Sequence, residues 1–99
     1  MTKGDKLLVG VCELSLMIYE SYSLKKKRSV IKSLLSKLSN KFNISVCESG
    51  DNDDKSFARI GIAVVGNSKA FLNDCIDAVI DFSDCQDEFE IIDIYREVY

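Results

Sequence analysis

The chain has 99 residues, 46% of them apolar, no histidine and a net charge of −3 at pH 7. That length supports one domain with one core, no apolar run reaches the ~18 residues that cross a bilayer, and the missing histidine removes the commonest general base and metal ligand. The net charge hides a split: residues 1–49 hold nine bases and four acids, residues 50–99 four bases and twelve acids, so the chain offers a local basic face and an acidic counterpart rather than a uniformly basic surface.

The polar start Met1-Thr2-Lys3-Gly4-Asp5-Lys6 is expected to be flexible, and the apolar stretch after it carries Glu13 and lacks a small-residue cleavage site. A cytoplasmic, soluble single domain over residues 1–99 is the expectation. Leu7 to Tyr19 reads as a strand with Leu8, Gly10, Cys12, Leu14, Leu16 and Ile18 on one face. Val9, Val11, Glu13, Ser15, Met17 and Tyr19 occupy the other. Ser23 then caps a helix to about Asn40, whose apolar sector holds Leu24, Ile31, Leu34, Leu35, Leu38 and Phe42. Lys27 points nearest that sector, in the first turn, from where its ammonium is expected to reach past the sheet edge.

Asn43 to Cys47 is a short strand, and Gly50 to Lys55 a polar turn. Phe57 to Val65 is a third strand, with Arg59, Gly61, Ala63 and Val65 on one face. Asn67 or Ser68 caps a second helix to about Ser83, its apolar sector Phe71, Leu72, Cys75, Val79 and Phe82, with Asp74, Asp77, Asp81 and Asp84 nearly opposite. Glu88 to Val98 is the last strand, with Ile92, Ile94 and Val98 on one face and Ile91, Asp93, Tyr95 and Glu97 on the other. The order β-α-β-β-α-β predicts an α+β, ferredoxin-like fold: a four-stranded antiparallel sheet in the order 4-1-3-2, both helices on one face. The other sheet face is left uncovered. It is expected to close a homodimer through Val9, Val11, Met17, Ala63, Val65, Ile91 and Tyr95.

The cysteines, Cys12, Cys47, Cys75 and Cys85, form no C-x-x-C pair. They read as reduced structural thiols of a reducing compartment, with no metal site and no cofactor. The Asp51-Asn52-Asp53-Asp54 stretch lacks the glycine and distal glutamate of a calcium loop and reads as turn chemistry. The acidic stripe of the second helix reads as a solvated face. The chain shows no catalytic constellation and no small-molecule substrate site. Its first strand-to-helix link, Tyr19-Glu20-Ser21-Tyr22, has neither the glycine nor the arginine of an acylphosphatase-type phosphate cradle. Nor do its strands carry the aromatics on which RNA-recognition sheets stack bases.

One feature stands out. Lys25, Lys26, Lys27 and Arg28 follow the cap Ser23 directly, and Lys32, Lys37 and Lys41 continue the series with no acid between Ser21 and Cys47. A helix start already carries positive partial charge, so four cations there are locally unfavourable unless an anion benefits. Phosphate contact through Lys25, Lys26, Lys27, Arg28 and Lys32 is the sharper reading; a solvated face balanced by the acidic second helix is the plainer one.

At Ser23-Leu24-Lys25-Lys26-Lys27-Arg28, and on through Ile31-Lys32-Ser33-Leu34-Leu35, Phe42-Asn43-Ile44-Ser45-Val46, Glu48 and Gly61-Ile62-Ala63-Val64-Val65, the chain resembles the YlxP-like bacterial proteins, a family of unknown function. The resemblance implies a ferredoxin-like fold and no established activity. Family genes tend to lie beside those of a translation initiation factor and a ribosome-binding factor. That association implies a partner in RNA or a ribosomal subunit, during ribosome assembly or translation. The chain departs from the family pattern where Lys26 replaces a usual glutamate, removing the acid of a capping box. It also lacks a proline before the helix, and the Trp and Gln often found after Glu48. A non-enzymatic accessory protein touching RNA or a ribosomal particle is the functional expectation, with a homodimeric interaction module as the alternative.

Overall fold

Alternation of apolar and polar residues builds the sheet, and helical spacing builds its cover. The structure, a computed structural model, describes residues 6–99; the flexible stretch expected at residues 1–6 lies, but for Lys6, outside them. The elements are β1 (Leu8–Ile18), α1 (Leu24–Lys41), β2 (Ser45–Gly50), β3 (Phe57–Gly66), α2 (Lys69–Asp84) and β4 (Phe89–Val98). The strands form one antiparallel sheet in the order β2-β3-β1-β4, the ferredoxin-like arrangement that the element order predicts. Among the described residues no helix is long and apolar enough to cross a membrane.

From Gly10 to Ile18 of β1 and from Ala58 to Val64 of β3, every second residue is buried. Cys12, Leu14, Leu16 and Ile18 of β1 and Ala58, Ile60, Ile62 and Val64 of β3 meet Val30, Ile31, Leu34 and Leu38 of α1 and Leu72, Ile76 and Val79 of α2 in one core. Gly10 brings α2 close: a Cβ there would lie 3.1 Å from the Ile76 side chain and 3.1 Å from that of Val64. The buried side of α2 is Leu72, Ile76, Val79 and Ser83, turned from the expected sector though Leu72 and Val79 are common to both. Ile76 is fully buried, and Phe71, placed inward by the sequence pattern, is 53% exposed.

The sheet carries two irregularities with consequences. Between β1 and β4, Ser15 pairs with Asp93 but Leu16 pairs with Ile91, which leaves Ile92 as an extra residue. A bulge of this kind reverses the facing of everything beyond it. Ile91 therefore packs against the core and is withdrawn from the open face, where Ile92 takes its place beside Ser15 and Arg59. Between β2 and β3, Glu48 pairs with Ile60 and Gly50 with Arg59, leaving Ser49 extra. β2 thus starts later than expected and continues into the residues read as a turn.

Candidate functional site

The start of α1 is held from three sides. Ser23 has extended backbone (φ −145°, ψ 152°), and its Oγ accepts from the Lys26 N–H at 3.1 Å, satisfying one of the first-turn donors. The preceding link is pinned by Ser21, which is buried; its Oγ donates to the Lys55 carbonyl at 2.6 Å and its own carbonyl accepts from Ser56 Oγ at 2.9 Å. The β2–β3 connection is ordered in turn by Asp54, whose carboxylate accepts from the Ser56 and Phe57 N–H groups at 2.8 Å each. Those two backbone donors hold the Asp54 carboxyl below the usual aspartate range. Turn chemistry, the reading made for Asp51 to Asp54, is what this loop displays.

The seven cations of the basic series separate into three groups. Lys27 is fully buried. It does not reach past the sheet edge; its ammonium points into the β2–β3 end of the molecule, donates to the Asp51 carbonyl and lies 3.2 Å from Glu48 Oε2. That carboxylate oxygen is buried and accepts no hydrogen bond, so the contact is an ion pair approached off the hydrogen-bond axis. Lys27 is therefore removed from the phosphate-contact set: an ammonium with no accessible surface and two partners cannot also hold a polyanion. Glu48 faces the helices because it pairs with Ile60, a core residue.

Lys37 and Lys41 are engaged at the other end of the helix. Lys37 Nζ donates to Gln86 Oε1 at 3.3 Å. Lys41 Nζ stands 5.8 Å from the Phe42 ring centre and 5.5 Å from that of Phe82, rings that meet edge to face.

Lys25, Lys26, Arg28 and Lys32 form the third group. All four are exposed. The ion pairs among the described residues are Lys27–Glu48, Arg59–Asp51 and Arg96–Asp77, and none of these four side chains belongs to one. The acidic stripe of α2 does not neutralise them at contact distance. Its Asp77 instead takes Arg96 from β4 at 2.6 Å, and Arg96 also donates to the carbonyl and Oδ1 of Asn73.

The open sheet face carries most of the residues assigned to a dimer interface. Val9, Val11, Met17 and Ala63 are half-buried there, Val65 is 59% exposed and Tyr95 50% exposed. Tyr95 and Tyr99 share a hydroxyl contact of 3.1 Å that pushes the Tyr95 phenol up. The sequence reading missed Ile92 and Ser49 on this face, since a bulge has no composition signal. It also missed the Lys27–Glu48 pair, although Lys27 at helical spacing from Ile31, Leu34 and Leu38 is the signal that could have revealed it.

A family model described as "Protein of unknown function (DUF503)" matches residues 9–96. The chain is also similar to the "Uncharacterized protein YlxP" of Bacillus subtilis (strain 168), at 36% identity over 83 residues, which is 84% of this chain and 90% of that protein.

Proposed function

The chain belongs to the DUF503 family, proteins of unknown function, and from the sorting of charge on α1 we propose that it is a non-catalytic docking protein for RNA or a ribosomal particle. Lys25, Lys26, Arg28 and Lys32 are the contact residues. The observation that carries this reading is their lack of any carboxylate partner among the described residues, at a helix start that is itself electropositive. Phosphate oxygens supply the missing anion, and the exposed N-terminal turn of α1 accommodates a backbone without requiring a base pocket. Lys27 acts beneath them by fixing the loop that flanks the helix start.

Binding of this kind releases counterions, so it weakens with salt. Four phosphate contacts give a slope of log K against log salt of about −3 on single-stranded RNA, or roughly fiftyfold between 50 and 200 mM. The experiment is co-sedimentation with purified ribosomal subunits across that range, wild type against the triple variant Lys25→Glu, Lys26→Glu, Arg28→Glu. Loss of pelleting by the variant, with a folded circular-dichroism spectrum, is expected. Equal pelleting of the two proteins would remove α1 from consideration.

A further inference from the structure

The sheet face turned away from the helices has a chemistry of its own. Two depressions open on it. One, of about 300 Å³, lies where Gly61 leaves space between Glu13 of β1 and Cys47 and Ser49 of β2. The other, of about 420 Å³, lies among Phe57, Arg59, Ile92 and Asp93. Around them the surface is apolar at Val9, Val11, Ala63 and Val65, yet carboxylates stand among and beside these side chains. Glu13, Glu90, Asp93 and Glu97 stand on this face of β1 and β4 by their register, and Asp51 and Asp54 close the end beside Phe57. Among the described residues Arg59 is the only base that the strands place on this face, and its Nε already lies 3.7 Å from Asp51 Oδ2; Lys55 follows Asp54 in the loop.

That imbalance decides between occupants. A second copy laid face to face adds another full set of carboxylates and just one more strand arginine, and like charges brought together across an interface repel. A neutral apolar partner would bury these carboxylates without pairing them. We infer that this face receives a cationic amphipathic segment of another protein, its apolar side on Val11, Ala63 and the space above Gly61, its lysines or arginines against Glu13, Asp93 and Glu97. The face lies on the opposite side of the sheet from α1, so this docking and polyanion contact fail or succeed independently.

The test is a titration of the isotope-labelled full chain with a synthetic amphipathic helix made of leucine and lysine, and with its leucine–glutamate counterpart, followed by backbone amide shifts. Shifts confined to the open-face residues of β1, β3 and β4 with the lysine peptide, and none with the glutamate peptide, are expected. The double variant Glu13→Lys, Glu97→Lys should weaken binding by about tenfold or more, and the milder Glu13→Gln, Glu97→Gln in the same direction, which guards against misfolding of the first. The charge-matched control Asp74→Lys, Asp81→Lys on α2 should stay within about twofold of wild type. Shifts on α2, or equal weakening by the control, would mean general attraction to an acidic protein and would overturn the inference. So would sedimentation equilibrium of the free chain showing a dimer that the Glu13/Glu97 lysine substitutions tighten, since the occupant would then be a second copy.

Discussion

Lys27 occupies the position on α1 that Ile31 and Leu34 fill one and two turns later, and all three are buried. Its four methylenes serve as core, and its charge is met by Glu48 and the Asp51 carbonyl. Removing one partner of a buried pair leaves the other uncompensated, at a cost of about 3–5 kcal/mol. Lys27→Ala is therefore expected to lower unfolding free energy by about 3 kcal/mol in urea, near the low end because the Glu48 side chain is 18% exposed. Lys25→Ala, at an exposed neighbour, should change it by less than about 0.5 kcal/mol. Similar losses at both positions would contradict a structural role for the buried Lys27–Glu48 pair. Cys12 is likewise fully buried. Burial pushes its thiol up to about 11, against the pull of Arg96. At pH 8 an aromatic disulfide reagent should label exposed Cys47 and Cys85 at once and Cys12 only after denaturation; rapid labelling of Cys12 would mean that the β1–α2 packing opens.

At the scale of the element, α1 begins with half of a capping box. Ser23 makes its bond to the Lys26 N–H, but the third helical position offers a cation where an acid would reach back to the Ser23 N–H. Lys26→Glu should restore the reciprocal bond and suit the positive helix end, raising stability by about 0.5–1 kcal/mol while weakening attachment to polyanions. Thermal unfolding measured with the sedimentation assay checks both; a stability gain with no binding loss would leave Lys26 without a docking role. β4 teaches the complementary lesson. Its alternation was legible, yet Ile91 and Ile92 fit either face equally well as side chains. Only the register with β1 puts Ile92 in the bulge and turns Ile91 to the core, because a ladder's parity belongs to two strands and not to one.

Across the whole molecule the charge is segregated. Lys25, Lys26, Arg28 and Lys32 gather at the start of α1, while acids line α2 and the open sheet face. A chain of net charge −3 arranged this way should still be retained on immobilised heparin at low salt and released near physiological ionic strength, as screening shortens the reach of the patch. The Lys25/Lys26/Arg28 glutamate variant should flow through; its retention would locate the polyanion contact elsewhere. The linear chain by itself determined the element order, the central strands' buried faces, the Ser23 cap and the existence of a cationic run, since each follows from local spacing or local chemistry. Tertiary structure alone decided which cations are free. Burial of Lys27 depends on Glu48 and Asp51, more than twenty residues away, and Lys25, Lys26, Arg28 and Lys32 are left with no carboxylate at contact distance among the described residues. Such pairings arise from contacts between elements, and charge in a sequence carries no record of its partner.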